Sequence, residues 1–229
     1  MKSILSNSLL AAIALASPLA FAGAPASKNP VTPPPPADEP LGMSVSVGYD
    51  TKYIFRGVDF GDHLVWAGLS IPVKLSDSTT FTFAPWYASA AGGGAGGGDY
   101  DELNLVGMFN FDLGFINLGV GYTYYNFPFA DADTHETFVS VSKTFGAVTW
   151  FANAYGDFEA DNGDLGYYFD TGLSSTIALT DSLSLVPEAR VSYASNYYGI
   201  DGFNNVLVKL GLPWAVTSTA TVTPYVAGS

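Results

Sequence analysis

The chain has no cysteine at all. That excludes disulfides, and it excludes thiolate metal sites and thiolate catalysis. Charge is scarce as well: only 13% of the 229 residues are Asp, Glu, Lys or Arg, well short of a typical soluble surface. The charges present are mostly of one sign. Eight Lys and Arg face 21 Asp and Glu, a formal net charge of −13, so the phosphates of a nucleic acid would be repelled and nucleic acid is excluded as a partner. Beyond the first 22 residues, no apolar run approaches the roughly 18 residues a membrane helix needs. Any crossing of a bilayer must therefore be made by strands. Aromatics, by contrast, make up 15% of the chain, and glycine is frequent. Few charges beside many rings is the balance expected of a lipid-facing belt.

The N-terminus reads as a targeting segment. Lys2 gives a short positive region, Ile4 to Leu19 is apolar, and Ala20-Phe21-Ala22 fits a small-x-small cleavage site with the cut after Ala22. Residues 1–22 are thus expected to be a cleaved signal peptide. Residues 23–40 follow as a linker in which Pro30, Pro33, Pro34, Pro35, Pro36 and Pro40 forbid both helix and ladder. Residues 41–229 form the folded domain.

That domain opens on Met43 to Gly57. Met43, Val45, Val47, Tyr49, Thr51, Tyr53 and Phe55 occupy one face, while Ser44, Ser46, Gly48, Asp50, Lys52, Ile54 and Arg56 occupy the other, with Ile54 its lone apolar exception. A period of two is a strand. This one is longer than an ordinary globular strand but suits a tilted bilayer crossing of about 9–11 residues. The same alternation recurs along the chain, giving about eleven strands. Short turns (Ser76-Asp77-Ser78, Asp112-Leu113-Gly114, Phe145-Gly146, Thr180-Asp181-Ser182, Val216-Thr217-Ser218) interleave with longer stretches read as acidic or glycine-bearing loops: Val58–Asp62, Gly92–Gly98, Asn126–Thr134, Gly156–Asp164 and Asn196–Gly202. The expected fold is all-β, an antiparallel up-and-down transmembrane barrel of about 12 strands; an even number is required, so either the closing strand is missing from this chain, the preferred reading, or the count of eleven is off by one. Its greasy face would meet outer-membrane lipid. Aromatic levels near both ends, with Tyr53, Phe55, Tyr87, Tyr122, Tyr124, Tyr167 and Tyr193 at the loop end, would form interfacial girdles. The prolines at Pro85, Pro187 and Pro224 predict bulges.

The segment Thr51-Lys52-Tyr53-Ile54-Phe55-Arg56-Gly57-Val58 resembles the first strand of the TorF-type porins, described as Gcw-type conserved hypothetical outer-membrane proteins. Tyr53, Phe55, Arg56 and Gly57 carry the motif. The hairpin from Val65 to Ala84, Leu212-Pro213 and Thr223-Pro224-Tyr225-Val226-Ala227 are similar to that family in pattern. Relatives follow Arg-Gly with an aliphatic residue, Ser and Gln, where this chain has Val58, Asp59 and Phe60. The resemblance implies a barrel with a transport role, and it supplies no catalytic residues.

Alternation places Asp50, Lys52, Arg56, Glu102, Glu136, Asp170, Glu188, Arg190 and Lys209 on the inner face. Such a set can line a pore that selects solutes by charge, or pair with itself and fill the interior. The expected function is passive diffusion of small solutes or cations through a narrow, weakly cation-preferring porin. A structural or adhesive barrel with a plugged lumen is the alternative, and a barrel lipid hydrolase ranks below it. The chain is not expected to be an enzyme: the only histidines are His63 and His135, and no Gly-x-Ser-x-Gly elbow is present. Asp157, Glu159, Asp161, Asn162 and Asp164 are spaced like oxygen ligands, but they lack the full calcium-loop pattern and read as a solvated acidic loop, so neither metal nor cofactor is expected.

Overall fold

A computed structural model describes residues 12–15, 42–93, 100–130, 132–161 and 163–229. Every regular element is a strand: β1 (Ala12–Leu15), β2 (Ser44–Phe55), β3 (Val58–Lys74), β4 (Thr79–Gly93), β5 (Tyr100–Asp112), β6 (Asn117–Phe127), β7 (Ala132–Phe145), β8 (Val148–Asp161), β9 (Asp164–Ser175), β10 (Ile177–Ala178), β11 (Ser184–Tyr197), β12 (Ile200–Gly211), β13 (Trp214–Ala215) and β14 (Thr221–Gly228). The sheet path is β1-β14-β12-β11-β9-β8-β7-β6-β5-β4-β3-β2, with β10 and β13 pairing onto β11 and β14. From β2 through β12, each main strand pairs antiparallel with the next, the up-and-down order expected from the sequence.

The two ends of the path curl toward each other. Tyr225 of β14 donates its hydroxyl to Asp50 of β2, and Asn204 of β12 donates to the carbonyl of Arg56 at 2.7 Å. Among the described residues no backbone ladder joins β1 to β2. The position beside β14 is taken by β1, paired Ala12↔Tyr225 through Leu15↔Val222. This lies in the stretch read as the apolar part of the leader. An edge strand's unpaired N–H and C=O groups accept whatever extended segment is offered. The cleavage site at Ala22 and the linker 23–40 lie outside the described residues.

The distribution of side chains across the sheet is inverted relative to a water-soluble domain. Val45, Val65, Leu173, Val206, Val208 and Val226 are each more than half exposed, whereas Glu102, Glu136, Asp157 and Asp170 are buried. Burying one large aliphatic side chain contributes about 1.5–3 kcal/mol. Leaving those six in water would forgo a sum comparable to the roughly 5–15 kcal/mol that holds a whole domain together. A hydrocarbon surround removes that loss, and strands in hydrocarbon require their backbone groups to be paired, which the ladders provide along the path between its two edges at β1 and β2. The outward tyrosines Tyr49, Tyr87, Tyr122, Tyr167 and Tyr193 gather near the loop end, and Phe83, Phe109, Phe145 and Trp214 lie toward the turn end. Three of those tyrosine hydroxyls have polar partners: Tyr49 with His63, Tyr87 with Asp101 and Tyr122 with His135.

Three expectations are corrected. First, four of the stretches read as long loops are largely strand. Arg56-Gly57 alone connects β2 to β3, with φ of 51° and 84°, a two-residue hairpin turn that needs both central residues left-handed. Residues 128–130, 163 and 198–199 fall between strands at the other short connections on this side. The polar residues that looked like loop are strand residues with partners: Asp133 accepts from Tyr124, and Asp157 from Thr134 and Tyr198. Second, the ladders run through Pro85, Pro187 and Pro224 without a register shift. Proline's fixed φ is compatible with an extended strand, and only its missing donor has to be accommodated. Third, the alternation skips on β2 and β3. Buried positions on β3 run Gly68, Trp66, Leu64 and then Gly61, around His63 with its φ of 58°. On β2 the inward Asp50 is followed by a buried Tyr53. A further shift lies between Tyr53 and Ile54. Tyr53 therefore faces inward, and Phe55 packs against the interior cluster around it, so neither belongs to the outer girdle.

Inside the wall, rings lie flat over glycines of the neighbouring strand. Trp66 pairs across from Gly48, Trp86 from Gly68, Phe138 from Gly121 and Phe151 from Gly172. A methyl added at Gly48, Gly121 or Gly172 would overlap the facing ring, and at Gly172 also the carbonyl of Ala189. The missing Cβ atoms let bulky residues hug the wall and leave space at the centre. Gly172→Ala is expected to lower unfolding stability by about 1–3 kcal/mol, the usual cost of overpacking. Gly156→Ala, whose new methyl meets nothing closer than 3.7 Å, should stay within about 0.5 kcal/mol. Urea unfolding of detergent-folded protein, followed by tryptophan fluorescence, checks both.

Candidate functional site: the charged lumen

The inner face encloses a cavity of about 350 Å³, lined among others by Asp50, Arg56, Glu136, Asp170, Arg190 and Lys209. Its walls are mixed. Trp66, Trp86, Phe138, Tyr155 and Tyr168 supply rings, while Asn104, Thr123 and Asn205 supply polar groups.

Arg56 dominates one part of it. It comes from the β2–β3 turn, and its side chain folds inward until only 9% of it is exposed. Its guanidinium makes two bonds to Glu136 of β7, Nη1 to Oε2 at 2.5 Å and Nη2 to Oε1 at 3.1 Å, and donates to the Tyr197 hydroxyl of β11. Tyr125 also donates to Glu136 at 3.0 Å. Four rings surround the cation: Tyr155 at 4.1 Å from the ring centroid, Phe55 and Tyr168 at 4.7 Å, and Tyr197 at 5.4 Å. The charge thus spans the interior and ties the first hairpin to strands far along the chain.

A second group sits on the wall formed by β9, β11 and β12. Arg190 pairs with Glu188 at 2.6 Å and approaches Asp170 at 3.8 Å, and Asp170 also accepts from Asn153. Lys209 stands over the Tyr225 ring, 4.3 Å from its centroid. Asp50 accepts from Trp66 Nε1 and Tyr225. Glu102 is satisfied by neutral donors only, Tyr53 at 2.7 Å, Tyr100 at 2.9 Å and Asn104 at 2.7 Å. Of the nine residues expected inside, Lys52 is the exception. The skip in alternation leaves it half-exposed, held by Asp59 at 2.8 Å and Asp62 at 3.0 Å, at the margin of the cavity.

Sequence reasoning missed Asp157, assigned to a solvated loop. It is buried against Thr134 and Tyr198. Burial, with Asp157 beside it, pushes the phenol of Tyr198 in the β11–β12 turn well above its ordinary pKa. Strand alternation carried past Tyr155 would have pointed Asp157 inward. In the stretch expected to be a solvated acidic loop, Asp157 turns in while Glu159 is exposed. Both histidines face outward, bonded to Tyr49 and Tyr122.

No protein-family model matches the chain, and a search of curated proteins returned no match. Among solved structures, the chain is similar to an anion-selective porin from Comamonas acidovorans, at 12% identity and a TM-score of 0.36 over 82% of this chain and 56% of that one. It is also similar to OccK11 (OpdR) of Pseudomonas aeruginosa, at 10% identity and a TM-score of 0.34 over 83% of this chain and 67% of that one. The chain thus spans a little over half the length of the first and two thirds of the second.

Removing one member of a fully buried ion pair strands the other charge, at about 3–5 kcal/mol. Glu136→Ala is expected to destabilise the barrel by that amount in urea unfolding. Arg56→Met combined with Glu136→Ala should recover a large part of the loss, because no charge is then left unpaired.

Proposed function

We propose that residues 41–229 build the wall of a bacterial outer-membrane porin, exported by a signal peptide cleaved after Ala22, and that it passes small solutes or ions passively with a weak preference for cations. The observation that carries this reading is the inversion of the wall: aliphatic and aromatic side chains point out, and charged side chains line an internal cavity. Among the described residues, inward carboxylates (Asp50, Glu102, Glu136, Asp157, Asp170, Glu188) outnumber inward cations (Arg56, Arg190, Lys209). An acidic, partly desolvated passage concentrates cations and repels anions. The reading extends to the TorF-type porins through Tyr53-Ile54-Phe55-Arg56-Gly57, which here forms the inward cluster and the first hairpin turn. No catalytic role is assigned to any residue.

A barrel with a plugged lumen is the second reading. It is favoured by the Arg56 bridge and by the packing of Tyr53, Phe55, Phe60, Trp86 and Tyr100 against one another at that end. Reconstitution in a planar bilayer separates the two. The porin reading predicts stepwise currents and a reversal potential displaced toward potassium in a potassium chloride gradient. Asp50→Asn with Asp170→Asn should move that potential toward chloride. Silent bilayers from correctly folded protein would favour the plugged barrel.

A further inference from the structure

The surroundings of Arg56 have the composition of a receptor. Four aromatic rings face one cation at 4.1 to 5.4 Å, and a buried carboxylate meets it with two parallel N–H bonds. Aromatic faces attract cations, and the paired carboxylate geometry fits a planar guanidinium in a way it does not fit an ammonium. Most of the walls of this cage come from the scaffold beyond the first hairpin: Glu136 lies on β7, Tyr155 on the adjacent β8, Tyr168 on β9 and Tyr197 on β11, while Phe55 is supplied by β2 itself. The occupant does not come from that scaffold. It hangs from a two-residue turn at the tip of the first hairpin, with both φ angles positive, and one side-chain bond from Asn204 holds the carbonyl of Arg56. A rigid pocket filled by a side chain on a short hairpin tip is the arrangement of a tethered ligand, whose advantage over a free one is its effective concentration.

We propose that this cage is a binding site for a solute bearing a guanidinium group, with Arg56 as the built-in occupant that such a solute replaces. The proposal rests on the porin reading only for its consequence, that replacement opens the passage at the level of Glu136. It names the solute by the chemistry the cage already holds: a flat cation with two parallel donors and two apolar faces. A compact alkali ion offers neither, and tetramethylammonium offers the apolar surface without the donors.

The test is chemical rescue. Arg56→Met empties the cage of charge and leaves Glu136 unpaired, so the variant should unfold at a lower temperature than the parent chain. Guanidinium chloride on the order of 10 mM, the effective-concentration range of a tethered group, should raise its unfolding temperature in detergent. Equimolar sodium chloride should do nothing, and tetramethylammonium chloride should do less. The parent chain, its cage full, should show no rise. Arg56→Lys keeps a cation in place and provides a folded sample if Arg56→Met does not fold; its response should fall between the two. Adding Glu136→Gln and Tyr155→Leu to either variant should abolish the rescue. The proposal is overturned if guanidinium acts no differently from sodium on the Arg56 variants, or if rescue survives removal of Glu136 and Tyr155. In bilayers, guanidinium should reduce the current of the Arg56→Met channel relative to equimolar potassium. Rescue in detergent from protein that never conducts would support the cage and contradict the porin reading, so the two fail separately.

Discussion

The constraint on which the whole structure depends is the placement of charge on the concave side of a curled sheet whose convex side is greasy. Either half alone would be unremarkable. An apolar face can bury itself against a second layer, and a polar face can meet water. Here there is no second layer among the described residues: one continuous path of strands carries both faces, and the apolar one is left outside. The interior must then satisfy its own polar groups. It does so with phenols, amides and opposite charges in place of bulk water, as at Glu102, where every donor is neutral, and at Glu136, where one is a guanidinium.

Crowding inside is managed by pairing large with absent. Trp66, Trp86, Phe138 and Phe151 each face a glycine across the ladder, so the rings recline along the wall. The same device at four places explains why glycine is frequent in strands that would otherwise be weakened by it. It also explains how an interior with so many rings still keeps a cavity. Arg56 uses the remaining width. Its charge reaches β7 and β11 from the first turn, binding early and late parts of the chain where no ladder does.

Much of this was legible in the sequence. The period of two named the strands, the turns at Ser76-Asp77-Ser78 and Asp112-Leu113-Gly114 fell between them, and Asp50, Arg56, Glu136, Asp170, Arg190 and Lys209, placed on the inner face by alternation, border one cavity. What escaped was whatever breaks strict alternation. His63 adopts a left-handed backbone angle that nothing in its neighbours announces, and opposite it on β2 the alternation also skips, so that Tyr53 turns inward and Lys52 lies half-exposed at the margin of the cavity. Hairpin tips were misjudged for a related reason. Asp133 and Asp157 carry the composition of loops, but each meets a tyrosine hydroxyl, that of Tyr124 on the neighbouring β6 and that of Tyr198 in the β11–β12 turn, a partner that local composition does not reveal. Ala12–Leu15, within the stretch expected to leave with the signal peptide, lies along the free edge of β14.

The absence of cysteine makes the central claim directly testable, because single thiols can be introduced without background. Val47→Cys, Val139→Cys and Val208→Cys mark the convex face, while Ser46→Cys, Ser140→Cys and Lys209→Cys mark the concave one. Spin-labelled at these sites and reconstituted in liposomes, the first set should be relaxed by oxygen, which concentrates in hydrocarbon, and the second by a water-soluble nickel chelate. Convex-face labels that respond to the chelate as strongly as the concave ones, or protein that stays folded in buffer with neither lipid nor detergent, would contradict the account.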